Sequence, residues 1–223
     1  SDVIEEWQPL SQLSAEKPAK TTSPTKLNSD MDKLIWDCIN YPFDKVRDRV
    51  KRMGFSVRAY DSAMNTALQD GYLLRSMTGK SVYLIATKKA YEKFDVPCPY
   101  ERSTSIEHAF YTLFTTHLLK QNRNIQKIQT EVPLGEKGAT IDVTYTDNEG
   151  KMTAIEVTLN TSNLLSNAAK LQDTAYRVIW LCKDAATKNA VKAYFNKTTS
   201  LPKELINKFE YSHFSNFMKG CHE

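Results

Sequence analysis

Two carboxylates on neighbouring predicted strands, Asp142 and Glu156, are the residues of this sequence best suited to chemistry. Each interrupts an apolar or β-branched run, ATIDVTY for the first and AIEVTL for the second. An unpaired buried carboxylate is costly, so a charge inside such a strand needs a reason. Carboxylate oxygens are the ligands that Mg²⁺ and Mn²⁺ prefer. The pair therefore predicts a divalent-metal site at the edge of a sheet.

Local patterns position the two acids on a hairpin. Ile141, Val143 and Tyr145 alternate with polar residues, which is the period of a strand. Residues 147–150 (DNEG) have turn chemistry, and residues 154–159 form the second predicted strand. On adjacent antiparallel strands the two acids can lie near one another. An exposed Asp and a Glu paired to a basic residue are the structural alternative.

The order Asp, hairpin, Glu resembles the core of the PD-(D/E)XK nuclease superfamily, the fold of restriction endonucleases and Holliday-junction resolvases. Asp142 and Glu156, fourteen residues apart, match the two acids of its motif. The resemblance covers roughly residues 106–194. It implies an α/β domain with a mixed sheet and the element order αβββαβα.

Thr158 stands where that motif has its Lys. In the family the Lys is thought to activate the attacking water, whereas a Thr hydroxyl carries no charge. Either another Lys has replaced it or the site does not cleave. A helix over residues 162–174 would put Asn163, Asn167 and Lys170 on one face, which makes Lys170 the candidate substitute. A solvated helix lysine is the alternative for that residue.

Two further acids are candidates for the metal shell. Glu107 lies in the first turn of a strongly predicted helix over residues 106–120, and the resemblance implies that an acid there joins the metal. A carboxylate favoured by the helix dipole is the alternative. Glu131 lies on the strand predicted before Asp142 and is a further candidate acid.

Residues 30–96 have the pattern of three helices followed by a hairpin. Ser29 and Ser56 are candidate caps, Gly54 and Gly71 are candidate stops, and residues 78–80 (TGK) form a turn. The pattern resembles the winged helix-turn-helix family, including the GYL that opens the first strand of the wing. We therefore expect an N-terminal winged helix domain, and an α+β protein as a whole.

In a winged helix the third helix enters the major groove of DNA. Arg58 and Asn65 on that helix suit guanine and adenine. Lys80 in the wing, with Arg47 and Lys51 on the preceding helix, could hold phosphates. The alternative is that these charges solvate a domain used for protein contact.

Composition sets broad limits on the chain. Its 223 residues carry a net charge of +4, a balance that fits a nucleic-acid partner weakly. The four cysteines are scattered, and no apolar run is long enough to cross a membrane, so the sequence predicts a cytoplasmic protein with reduced thiols. Residues 1–29, with three prolines, predict a flexible arm.

Residues 97–223 are expected to form the restriction endonuclease-like domain. The segments AIEVTLN, NAAK and AYRVIWLCKD resemble the tails of HerA/FtsK-type DNA translocases and mobile-element proteins. The chain has no G-x-x-x-x-G-K-[ST], so no P-loop motor is expected within these residues. Because the chain begins with Ser rather than Met, an excised fragment of something longer is one interpretation of it. The resemblance implies an upstream motor domain or a larger DNA-processing complex.

Three functions are consistent with these patterns. The first is a protein that binds double-stranded DNA and carries a degenerate nuclease-like domain without a cofactor, in DNA transfer, recombination or defence. The alternative is an active endonuclease that uses Mg²⁺ or Mn²⁺ at Asp142 and Glu156. A transcription regulator is third. Thr158 favours the first, and the two retained acids favour the second.

Overall fold

The chain forms a mixed α+β protein with a two-stranded sheet and a five-stranded mixed sheet. A computed structural model describes residues 27–101, 103, 105–134, 139–174 and 176–220. The predicted arm therefore lies, up to residue 26, outside the described residues. The described part of the chain divides into two compact units, residues 27–110 and 111–220. No helix in that part is long and apolar enough to cross a membrane.

The first unit contains three helices, a hairpin, a short helix and the start of a longer helix. These are α1 (Asp30–Asn40), α2 (Val46–Met53), α3 (Val57–Gln69), β1 (Leu73–Thr78), β2 (Ser81–Ala86), α4 (Lys88–Lys93) and α5 (Ile106–Leu119). The predicted caps are confirmed, because Ser29 Oγ accepts from Asp32 N and Ser56 Oγ from Ala59 N. Helix α2 ends at Gly54, whose φ of 64° suits a residue without a Cβ.

A buried ion-pair cluster joins α1 to α2. Asp37 Oδ2 lies 2.6 Å from Arg49 Nη1, and Asp37 Oδ1 lies 2.9 Å from Arg52 Nε. Arg49 is fully buried and also donates to the Tyr41 carbonyl, while Arg52 contacts Asp44 as well. The Arg49 guanidinium is therefore buried within the first unit, and that of Arg52, which is 34% exposed, binds carboxylates of the same unit.

The second unit is built on the five-stranded sheet. Its strands are β3 (Ile125–Leu134), β4 (Ala139–Asp147), β5 (Met152–Thr158), β6 (Arg177–Cys182) and β7 (Phe209–His213), in that spatial order. The first two pairings are antiparallel and the last two are parallel. Its helices are the end of α5, α6 (Leu164–Ala169), α7 (Ala185–Lys197), α8 (Lys203–Ile206) and α9 (Phe214–Gly220).

An aromatic cluster fills the core on one side of this sheet. Trp180 of β6 is fully buried. The centroid of its ring lies 4.8 Å from that of Phe195 and 5.4 Å from that of Phe209. Aromatic pairs at such separations stabilise beyond the area that they bury. The core explains why β6 is an almost continuous apolar run, since a strand covered on both faces has no polar side.

The element order from α5 to α7 agrees with the predicted αβββαβα, but one local prediction was wrong and one helix was not predicted. The helix expected over residues 162–174 is only Leu164–Ala169, because Asn163 before it has a φ of 60°. The helix α4 was not predicted, and burial of Ala90 and Tyr91 accounts for it.

Asp184 caps the 13-residue helix α7, and replacing it tests how much one cap contributes. Its Oδ1 accepts from Thr187 N at 2.7 Å, and this hydrogen bond holds the pKa of Asp184 below its usual range. Asp184→Ala is expected to lower the free energy of unfolding by about 1 kcal/mol at pH 7. A folded-state pKa below the unfolded value stabilises the protein above pH ~4 and loses this effect as pH falls.

The measurement is urea denaturation of wild type and Asp184→Ala at pH 7 and pH 3. We expect the difference between the two proteins to shrink at pH 3. An equal difference at both pH values would contradict the capping role of the ionised carboxylate.

Candidate functional site

The candidate site lies where β4 and β5 stop pairing with each other. Their main-chain register ends at Val143↔Ile155, and its continuation would set Asp142 opposite Glu156. At that point Asp142 Oδ2 accepts a hydrogen bond from Val157 N at 2.8 Å. Strand β4 continues its pairing with β3, and β5 continues with β6 as far as Thr158↔Cys182. The two acids thus occupy facing positions at a fork in the sheet.

Glu156 is buried at this fork and is bound by Lys170. The Glu156 side chain is only 2% exposed, and its Oε2 lies 2.9 Å from Lys170 Nζ. Lys170 follows α6 directly, as its C-cap residue, and its Nζ also donates to the Thr140 carbonyl at 2.6 Å. The structure thus brings together the acid of β5 and the lysine that sequence reasoning singled out. Thr140 was missed, because a main-chain acceptor leaves no mark on the sequence.

Thr158 does not direct its hydroxyl at the carboxylates. It is 7% exposed, and its Oγ1 donates to the main-chain carbonyl of Glu156 at 3.3 Å. A neutral donor used in this way adds no positive charge to the site. The charge near the buried acid comes from Lys170 instead.

Glu131 of β3, which lies across from Asp142 of β4, has a strained backbone. Its φ is 49°, in the left-handed region that non-glycine residues avoid at a cost of about 1–3 kcal/mol. It lies between the register pairs Thr130↔Val143 and Val132↔Ile141, across from Asp142. Strain of this kind clusters at functional positions, so Glu131 is kept as a further candidate acid.

Glu107 lies in the first unit, in the first turn of α5. Its Oε1 accepts from Ser76 Oγ of β1 at 2.6 Å. A role for Glu107 in a metal shell stays a prediction. Among the described residues, no group of three or more His, Cys, Asp or Glu side chains is arranged to hold a metal.

The two carboxylates at the fork are sufficient in number and type for Mg²⁺. This ion is usually bound through one or two carboxylates and keeps several of its waters. Asp142 is half-buried and Glu156 is buried, and both present oxygen ligands. The donor set therefore fits a divalent cation of the oxygen-preferring kind.

The predicted nucleic-acid residues all lie on the surface of the first unit. Arg58 and Asn65 are exposed on α3, seven residues apart and so on one helical face. The opposite face of α3 is buried through Tyr60, Ala63 and Ala67. The remaining predicted contacts are also exposed: Lys80 in the β1–β2 turn, and Arg47 and Lys51 on α2.

Comparison with known proteins adds no family to these observations. No protein-family model, curated protein or solved structure matches the chain.

Proposed function

We propose that this chain binds duplex DNA and cleaves it in a metal-dependent reaction at Asp142 and Glu156. The observation that carries the proposal is the contact of Lys170 Nζ with Glu156 Oε2 at 2.9 Å. The sequence-level objection to cleavage was that Thr158 cannot supply a positive charge. Lys170 supplies that charge beside the same carboxylate, from the helix that follows β5.

In this proposal the second unit is a restriction endonuclease-like domain. Asp142 and Glu156 would hold Mg²⁺ or Mn²⁺, and the bound ion would acidify a water and offset charge on the scissile phosphate. Asp142 keeps its position through the hydrogen bond from Val157 N. Lys170 is held beside Glu156 by the Thr140 carbonyl, and its ammonium can attract a phosphate oxygen there.

The first unit is proposed to be a winged helix that delivers the duplex. Three helices followed by an antiparallel hairpin support this, together with the exposed pair Arg58 and Asn65 on α3. We propose that the whole chain acts in DNA transfer, recombination or defence, beside a motor domain or within a larger DNA-processing complex.

A second candidate is a DNA-binding module that has kept the nuclease fold and lost cleavage. The observation in its favour is that Thr158 stands in place of the motif Lys and donates its hydroxyl hydrogen bond to a main-chain carbonyl. A salt bridge between Lys170 and Glu156 is also compatible with a site that has become purely structural. A fold can persist after its activity is lost, so only an assay separates the two candidates.

The deciding assay is cleavage of supercoiled, linear and branched DNA with Mg²⁺ or Mn²⁺, beside a chelator control and an Asp142→Ala/Glu156→Ala double variant. Cleavage that requires the metal and disappears in the double variant would support the nuclease. Binding by both proteins without any cleavage would favour the second candidate.

Arg58→Ala and Lys80→Ala test the proposed DNA surface. Arg58→Ala is expected to weaken duplex binding by about 1–3 kcal/mol. Lys80→Ala is expected to reduce the slope of log affinity against log salt concentration by about 1, the effect of losing one phosphate contact. Affinities are measured by fluorescence anisotropy at several salt concentrations, because phosphate contacts release counterions. Arg123→Ala, which removes an exposed arginine of the second unit, serves as the control. Unchanged affinity in both test variants would exclude this surface.

A further inference from the structure

Lys170 contacts two separate strands of the second unit through one ammonium group. Its Nζ lies 2.9 Å from Glu156 Oε2 on β5 and donates to the Thr140 carbonyl on β4 at 2.6 Å. The Lys170 side chain is 16% exposed and that of Glu156 is 2% exposed. Water can therefore do little to compensate the carboxylate's charge, and a buried carboxylate needs such compensation. Lys170 provides it.

We propose that Lys170 is the resident counter-cation of Glu156, and that a divalent cation must displace it from that carboxylate to bind there. The inference rests on the proposed metal site and concerns how that site is loaded. It assigns Lys170 a regulatory contact in the metal-free protein, in addition to any contact with DNA.

Electrostatics gives the direction of the effect. Two cations that share one carboxylate repel each other, and the repulsion is strong where burial limits screening by water. The ammonium at Glu156 therefore lowers the affinity of the site for a metal. Removing it leaves Glu156 without that compensation and more attractive to a divalent ion.

The contact with Thr140 explains what becomes of the displaced lysine. Thr140 lies two positions before Asp142 on β4, so an ammonium that keeps this hydrogen bond stays close to the site after leaving Glu156. An ammonium has three donors, and the one released from Glu156 becomes available to an anionic oxygen. Metal loading would thus prepare Lys170 to meet a phosphate.

The first test is Mn²⁺ binding to metal-free wild type and Lys170→Met, measured by isothermal titration calorimetry in the absence of DNA. Met keeps most of the length of the side chain and removes its charge. We expect Lys170→Met to bind Mn²⁺ at least about tenfold more tightly, a difference of about 1.4 kcal/mol. The matched control is Lys192→Met, which neutralises an exposed lysine of α7 and should leave the affinity unchanged.

A second measurement uses wild type, in case the Met variant does not fold. Lysine ammonium groups labelled with ¹⁵N are followed by NMR during titration with diamagnetic Mg²⁺. The Lys170 resonance should shift in step with saturation of the site, while that of Lys192 stays constant.

The outcomes separate this inference from the proposed function. If both proteins bind Mn²⁺ equally and the Lys170 signal does not move, the displacement is wrong and the metal site stands. If neither protein binds Mn²⁺ at millimolar concentration, the proposed metal site fails and the inference fails with it.

Discussion

Under the proposed nuclease function, Asp142→Asn is expected to lower the rate of Mg²⁺-dependent DNA cleavage by about 100-fold or more, the usual effect of removing one electrostatic contribution to a transition state. The substitution changes the charge and little else. An Asn oxygen can still accept the hydrogen bond that Asp142 Oδ2 receives from Val157 N at 2.8 Å, so the fork between the strands should be preserved. The loss would therefore come from weaker attraction for the metal.

The same strand offers a matched control. Asp147 ends β4, and its Oδ1 accepts from Glu149 N and Lys151 N in the turn. Asp147→Asn removes one charge, and its amide oxygen can also keep such hydrogen bonds. We expect it to cleave like wild type. Initial rates on supercoiled plasmid, with duplex affinity measured in parallel, make the comparison.

Two results would contradict the role of Asp142. Equal cleavage by wild type and Asp142→Asn would show that the reaction does not depend on this carboxylate. A loss of duplex affinity as large as the loss of rate would show that Asp142 contributes to binding and not to cleavage.

The hairpin that carries the two acids could be predicted because the residue patterns that define it are local in the sequence. Alternation around Ile141 and Val143 and the turn at residues 147–150 define both strands, and the strand lengths then set Asp142 across from Glu156. A period of two permits only one face for each residue, so a short pattern fixes the register. Predicting this hairpin did not require knowledge of contacts with distant parts of the chain.

The contact of Lys170 with Glu156 depends on tertiary structure, and the sequence offered only a partial reason for it. The predicted helical face of Asn163, Asn167 and Lys170 did not form as such, because Asn163 precedes the helix in a left-handed conformation. Lys170 reaches Glu156 from the end of α6 instead. Lys170 thus lies beside Glu156 although the local geometry behind the choice was wrong, and its catalytic role stays a prediction.

Arg49 shows a signal that was present and not used. Val46, Val50 and Met53 mark the inward face of α2, and position 49 falls on that face by its spacing of three from Val46. A charge there needs a partner. The partner, Asp37, lies on another helix, and sequence spacing does not give its distance.

Asp37→Ala is expected to lower the free energy of unfolding by about 3–5 kcal/mol, because it leaves the buried Arg49 guanidinium without its carboxylate. The Asp37 side chain is 10% exposed and accepts from Arg49 Nη1 at 2.6 Å and from two nitrogens of Arg52 at 2.9 Å. Small domains are stable by about 5–15 kcal/mol, so this loss would be a large fraction of the total. Urea denaturation followed by circular dichroism measures it.

The control for Asp37→Ala is Asp30→Ala, which replaces another aspartate of α1. Asp30 pairs with Lys33 at 3.1 Å, with both side chains 49% exposed, and exposed pairs contribute at most about 1 kcal/mol. Asp30→Ala should therefore cost far less than Asp37→Ala. Hydrogen-exchange mass spectrometry should locate the loss of protection in peptides of the first unit. Equal costs for the two variants would mean that water reaches Arg49 and that the cluster is not a buried one.

A double-mutant cycle separates the ion pair from the packing of its residues. In an Arg49→Met background no buried guanidinium remains at that position, so Asp37→Ala should cost less than it does in wild type. Arg52 is 34% exposed and can turn to water or keep its contact with Asp44, so it should contribute little to the coupling. A coupling energy near zero would assign the whole loss in Asp37→Ala to packing on α1.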